Sequence, residues 1–356
     1  MDFVIFITSV TRKLVNAMQH IPFILGHYPS DCQPEKIQFL GGAGGFSGAA
    51  FWKITAQRGL LCLRRWPKEH PNQSQIEFIH GLLKHVVGEG FSTVPLPISL
   101  QTDSTMTYFK YQGYIWELAP WMSGTADYLQ SRSTKKFEAA LHSLANFHQA
   151  ASKFIDRSTV RSRSVTVHER LEQINLWIQS DISRLEACGG KSQCILKERL
   201  PQWKNKIIDY SKHHIHRVKQ LLSKVVDCRV PIQACLRDIW HDHILFQGDH
   251  VSGVIDFGAA RPDTVVADLT RLLGSLAANN KAEWECGINA YESISPLSDQ
   301  ERLLIYPLDQ SAILLSGLNW MRWLYLENRR FSDEGAVTDR LEHILCRLEN
   351  ADTKID

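Results

Sequence analysis

Near Gly124 the hydrophobic pattern of this 356-residue chain changes period, and few architectures accommodate both halves. Before it, apolar and polar residues alternate over short runs. KIQFL and AAFWKIT flank the glycine cluster GGAGGFSG, GLLCLRRW follows a turn at Gly59, and VPLPISL, MTYFKY and GYIWELAPWM fill 94–122. Alternation bounded by glycine and polar turns predicts antiparallel strands. One stretch breaks it: beyond Pro71, the residues Ile76, Ile79, Leu82, Leu83 and Val86 recur at three- and four-residue steps, which predicts an amphipathic helix. After Gly124 helical spacing takes over, in 134–155, 164–187, 195–226, 264–278, 281–293, 298–328 and 336–350. The expectation is an α+β chain in two lobes. A small antiparallel-sheet lobe, with an N-terminal helix, covers 1–122, and a larger helical lobe covers 123–356, divided at the Ser123-Gly124 turn.

One island interrupts the helices. PIQACLRDIWHDHILFQGDHVSGVIDFG predicts short strands around a turn at Gly248 to Ser252, and it is dense in Asp and His. Asp238 opens it, His243 follows five residues later, and Asp256 closes it, so one hairpin gathers two carboxylates and an imidazole. Phosphoryl transfer needs such a set: one carboxylate to orient the attacking hydroxyl and accept its proton, and further ligands for a metal that neutralises phosphate charge.

In LRDIWHDH and VIDFGAARPDTVVADLTRLLGS the chain resembles the kinase-like small-molecule phosphotransferases, the superfamily of aminoglycoside phosphotransferases and choline kinases. Their catalytic loop reads H-G-D-x-x-x-x-N and is followed by a hairpin and an Asp-containing metal motif. The resemblance places Asp238 on the catalytic aspartate, His243 on the metal-binding asparagine and Asp256 on the metal-binding aspartate. Leu236 replaces the leading histidine, and Asp268 falls on a later, structural aspartate. Upstream, FLGGAGGFSGAAFWKI is similar to the family's strand turn over the nucleotide phosphates, which implies phosphate contacts from Gly41, Gly42, Gly44, Gly45 and Ser47, where missing Cβ atoms let backbone N–H groups approach an anion. The stretch does not satisfy G-x-G-x-x-G, because Ser47 stands where the last glycine would be. Arg64 occupies the place of the family's phosphate-binding lysine, Glu77 is the nearest candidate to pair with it, and the segment from Glu117 through Ala119 to Met122 corresponds to the stretch whose backbone pairs with adenine. The resemblance therefore implies a protein kinase-like two-lobe fold with ATP in the cleft between lobes.

Histidine in place of asparagine changes a ligand atom from oxygen to nitrogen, and Mg²⁺ prefers oxygen. Three arrangements are open: His243 holds a softer ion such as Mn²⁺, His243 touches phosphate directly, or Asp256 holds the metal alone. The leading reading is an ATP-dependent phosphotransferase acting on a hydroxyl of a small molecule. A catalytically weak, nucleotide-binding pseudokinase acting as regulator or scaffold is the alternative, since Leu236, Arg64 and His243 all depart from the family pattern. A metal-dependent hydrolase built from His241, His243 and His250 with Asp242 and Asp249 is a third. Forty basic against 38 acidic residues leave a charge of +2, too little for a dedicated nucleic-acid binder. No apolar run reaches the length of a membrane helix, and MDFVIFITSV lacks the basic flank and cleavage site of a signal peptide, so a cytoplasmic protein is expected. Eight cysteines without a C-x-x-C pair read as reduced, mostly buried thiols.

Overall fold

The computed structural model describes residues 20–41, 48–155, 161–188, 198–331 and 333–351. Gly42, Gly44, Gly45 and Ser47 of the glycine turn lie outside the described residues, as does the N-terminal stretch MDFVIFITSV. The chain divides into two compact units, one of residues 1–84 with 94–122 and the other of residues 85–93 with 123–356.

The first unit begins with helix α1 (20–25) and strands β1 (Pro34–Gly41), β2 (Ala50–Ala56) and β3 (Gly59–Arg65). Helix α2 (Gln73–Gly88) and strands β4 (Tyr108–Tyr111) and β5 (Tyr114–Pro120) complete it. The strands form one antiparallel sheet in the order β1-β2-β3-β5-β4. Period-two alternation puts Trp52 and Ile54, Leu61 and Leu63, and Trp116 and Leu118 in a single buried cluster with Ile21, Ile24 and Leu25 of α1. VPLPISL, expected as a strand, is not one. Pro95 and Pro97 have no N–H to give to a ladder, and the stretch is tied down instead by the N–H groups of Ile98 and Leu100, which donate to Leu118 O (2.7 Å) and Met106 O (2.8 Å).

Residues 85–93, the end of α2 and the turn beyond it, group with the helical unit. The His85 ring packs on Phe154, Phe91 on Phe147, and Thr93 O accepts the Val254 N–H at 2.8 Å. This unit continues through α3 (Thr134–Ala151), β6 (Arg161–Arg163), α4 (Val165–Leu176), a π-helical turn, α5 (Ile182–Ala187) and α6 (Leu200–Val225). The Asp- and His-rich island and its flanks then supply β7 (Arg229–Pro231), β8 (Gln233–Cys235), β9 (Ile244–Gln247), β10 (His250–Val254) and β11 (Arg261–Asp263), paired with β6 as three two-stranded ribbons, β9 with β10, β8 with β11 and β6 with β7. Helices α7 (Val265–Leu276), α8 (Lys281–Glu292), α9 (Asp299–Met321) and α10 (Glu334–Glu349) close the unit. Their starts are written in the sequence: Thr264, Asn280 and Asp333 cap α7, α8 and α10, and Ser298 with Glu301 forms a capping box on α9. Helix α7 is the pillar of this unit, with Val266, Leu269, Leu272 and Leu273 fully buried around it. No described helix is long and apolar enough to cross a membrane. The thiols are less buried than expected: of the described cysteines only Cys32 and Cys235 are buried, and Cys286 and Cys346 are exposed.

Candidate active site

Strand β8 ends at Cys235, and the next two residues are pinned by one carboxylate. Asp268, fully buried in the first turn of α7, accepts the N–H of Leu236 at 2.7 Å and of Arg237 at 2.6 Å. Its third partner is His148 of α3, whose Nε2–H donates to it at 3.0 Å while Nδ1 accepts the Tyr291 hydroxyl at 2.7 Å. Burial drives the Tyr291 phenol well above its ordinary pKa, which keeps that proton in place. Arg237 adopts a left-handed backbone (φ +68°), and its guanidinium bonds Asp263 and, at 2.7 Å, Glu169. Asp263 is itself buried and accepts Ser164 Oγ (2.9 Å) and Thr166 N–H (2.8 Å). An arginine in this backbone region costs about 1–3 kcal/mol, so the surrounding bonds must over-determine it. The outcome is a rigid loop that presents the Asp238 carboxylate about half exposed.

His148, Cys235 and Asp268 offer donor atoms within 4.8 Å of one another, but they serve this scaffold. The histidine and the aspartate are spent on each other and on the loop, and burial holds the Cys235 thiol far above its ordinary pKa, where it is no thiolate ligand.

His243 follows in the 3₁₀ turn His241–His243, before β9. Its Nδ1–H donates to Asp238 O at 2.8 Å, which turns Nε2 toward Asp256, 3.7 Å from Oδ2. In the neutral ring that bond leaves the Nε2 lone pair as the ligand atom. The β9-β10 hairpin brings the two together, and Ile255 N–H closes it on His243 O at 2.9 Å. Asp256, like Arg237, has a left-handed backbone (φ +63°). One imidazole nitrogen and one carboxylate at this spacing are two donor atoms of the kinds that divalent ions take. The other residues of the hydrolase reading do not join them as a metal cluster among the described residues. His241 is buried on Ser275 (Nδ1 to Oγ, 2.6 Å), Asp249 accepts the Ser133 hydroxyl at 3.0 Å, and His250 is exposed.

In the first unit Arg64, near the end of β3, lies over the Trp66 ring at 3.3 Å and the Phe51 ring at 5.1 Å. Directly across the sheet from it stands Glu117, whose Oε2 accepts Trp66 Nε1–H and His80 Nε2–H, each at 2.8 Å. Burial pushes the Glu117 carboxyl upward, but His80, Arg64 and Trp66 outweigh burial and hold it below the usual carboxylate range. Glu77 directs its carboxylate to Gln73 (2.8 Å) and the Tyr108 hydroxyl (2.9 Å). The main chain of Glu117 lies inside the sheet between Arg64 and Tyr108, and Ala119 comes after β4 has ended. Gly41 takes φ +68° at the β1 bulge, a conformation that suits glycine.

Sequence reasoning missed four residues around Asp238. Arg271 Nη2 donates to Asp238 Oδ1. Trp240 lies beside both Arg271 and Arg340, with guanidinium carbons 5.8 Å and 4.0 Å from its ring centre, and the His343 ring is 5.2 Å from it. Arg271 had a signal, because it follows Asp268 by three residues and so shares its face of α7. Arg340 and His343 arrive from α10 with none.

A family model described as the phosphotransferase enzyme family matches residues 39–303, about three quarters of the chain, and the chain belongs to that family. It is a phosphotransferase, and its fold is the protein kinase-like one. The chain is similar to spectinomycin phosphotransferase solved with ADP and spectinomycin, at 13% identity and a TM-score of 0.65 over 93% of this chain and 97% of that one. It is also similar to an amicoumacin kinase solved with AMP-PNP and Ca²⁺, at 14% identity and a TM-score of 0.60 over 94% and 93%. Among curated proteins it resembles the homoserine kinase of Gluconobacter oxydans (strain 621H), with 34% identity over 82 residues. That match spans 22% of this chain and 26% of the relative.

Proposed function

We propose that this phosphotransferase moves the γ-phosphate of ATP to a hydroxyl of a small molecule, with Asp238 as the base. The observation that carries this reading is the hydrogen bond from His243 to the Asp238 carbonyl, because it couples the presented carboxylate to the imidazole that faces Asp256. Asp238 orients the acceptor hydroxyl and takes its proton. His243 and Asp256 would hold Mg²⁺ or Mn²⁺, which when bound neutralises charge on the phosphates. By their place in the family motif, the phosphate contacts fall to Gly41, Gly42, Gly44, Gly45 and Ser47 and to the fork of Arg64, which has Glu117 across from it. Ala119 and the residues after it meet the adenine edge, and Glu77 steadies α2 through Tyr108.

The bond from Arg271 to Asp238 favours a second reading, a weakly catalytic nucleotide-binding regulator, because it occupies one oxygen of the base. Oδ2 is left for a hydroxyl, so the two readings separate on turnover. Nucleotide binding is tested by a thermal-shift titration with ATP and Mg²⁺ or Mn²⁺ on wild type and Asp256→Ala. Ligand at about 100 times its dissociation constant adds roughly 2.7 kcal/mol, several degrees for a chain of this size. The expected result is a metal-dependent shift that the variant loses. No shift with any nucleotide and metal contradicts the proposal, and an undiminished shift in the variant removes Asp256 from the metal site.

A further inference from the structure

Two arginines from different helices converge on the tryptophan beside Asp238. Arg271 comes from α7 and gives one guanidinium nitrogen to Asp238 Oδ1, while its side chain stays about 30% exposed. A guanidinium carries five N–H donors in a planar fork, so most of its capacity remains for a second anion. Arg340 comes from α10, lies over the Trp240 ring at 4.0 Å, and approaches Asp242 only at 3.8 Å, beyond hydrogen-bond length. Three buried polar atoms at this spot, Trp240 Nε1, Arg271 Nε and His343 Nε2, have no hydrogen-bond partner among the described residues. Buried polar groups in folded proteins are nearly always satisfied, so three unmet ones beside a carboxylate call for a water or an ion as partner.

The electrostatics agree. Burial and the neighbouring Arg271 bring Arg340 down to about 10, and burial together with Arg271 and Arg237 brings the part-buried Arg170 down to about 9. Burial is the larger cause in both cases, and Arg271 adds to it, so the guanidiniums of Arg271 and Arg340 share one region of like charge. An ammonium-bearing acceptor would meet like charge here, and an anion would meet complementary charge.

We propose that Trp240, Arg271 and Arg340 form the acceptor site, and that the acceptor is a hydroxyl compound bearing a carboxylate, seated on the two guanidiniums with its hydroxyl at Asp238. This rests on the phosphotransferase reading. In the transfer the acceptor oxygen forms a bond to Pγ, the bond from Pγ to the bridging oxygen breaks with its electron pair leaving on ADP, and the hydroxyl proton passes to Asp238. Arg271 has a double task, holding Oδ1 so that Oδ2 faces the hydroxyl and binding the acceptor's carboxylate with the rest of its fork. Arg340 lies beyond residue 303, where the family match ends, so this half of the site belongs to the C-terminal helix of this chain.

The test is ADP formation with ATP and Mg²⁺ or Mn²⁺ on matched acceptors: homoserine against its carboxamide, glycerate against glycerol, and 4-hydroxybutyrate against butane-1,4-diol, with glycerol 3-phosphate as a separate anion. Wild type should favour the carboxylate member of a pair by roughly tenfold or more in KM. Arg340→Gln should abolish that preference with little change in kcat, and Arg340→Lys, which keeps the charge but not the fork, should restore part of it. Equal or better use of the neutral members, or an equal loss on both members in Arg340→Gln, overturns the proposal. Stronger use of glycerol 3-phosphate with the same arginine dependence replaces the carboxylate by a phosphate and overturns the assignment. Where no member turns over, thermal shift with AMP-PNP decides: an enzyme that binds nucleotide but shows no carboxylate-selective shift contradicts the acceptor site alone, whereas one that binds no nucleotide contradicts the phosphotransferase reading beneath it.

Discussion

Leu236 stands where the family pattern has a histidine, and Asp268 receives an imidazole from His148, almost ninety residues upstream. Local order in the sequence made Asp238, His243 and Asp256 legible, because one hairpin fixes all three. It could not reveal His148, Arg340 or His343, whose approach depends on how α3 and α10 pack. Nor could it foresee that Glu117, whose backbone was the feature of interest, would stand across from Arg64 while Glu77 turned to Tyr108. His343 carries a prediction at this scale. Burial, with His241, Arg347 and Arg340 nearby, lowers it to about 4 from 6.5. Between those values the unfolded chain binds a proton that the folded chain refuses, so stability falls as pH drops from 6.5 toward 4 and levels off below it. From pH 7 to pH 5 this residue should cost on the order of 2 kcal/mol. Urea unfolding of wild type and His343→Gln at both pH values measures it, and an identical pH dependence in the two proteins would show that His343 is not held neutral.

At the scale of elements, helix spacing was read well because the signal is local, whereas VPLPISL misled because apolar alternation was weighed above the two prolines that spoil a ladder. The turn at Gly124 was legible as a turn but not as a packing constraint. Gly124 has φ +104°, and a Cβ there would lie 2.2 Å from Ser252 Oγ and 2.7 Å from Phe246 O. The neighbouring Thr125 pairs with Phe246 in both directions, and Ser252 Oγ donates to Ser123 O at 2.6 Å, so the backbone has little room to yield. Gly124→Ala therefore combines a strained backbone with a clash, and a loss of about 2–4 kcal/mol in denaturant unfolding is expected. Stability equal to wild type would mean that the segment relaxes freely.

For the whole molecule, the change of period at Gly124 announced an α+β chain, and the order of the glycine turn, Arg64, Asp238 and Asp256 announced the family. Each of these lies inside the 39–303 match, while the acceptor side reaches into α10 outside it. The division has a physical basis: the family motifs are short and keep their sequence order, whereas the side chains around Trp240 are gathered by helix packing. The central claim is that Asp238 is the base of a phosphoryl transfer. It is tested most directly by following the γ-phosphate of labelled ATP into the acceptor panel, with wild type beside Asp238→Asn, a change that removes the carboxylate without removing volume. The prediction is transfer by wild type and a loss of about 10²–10⁴-fold in kcat in the variant, with its melting temperature close to wild type. Transfer by Asp238→Asn at the wild-type rate would contradict the account.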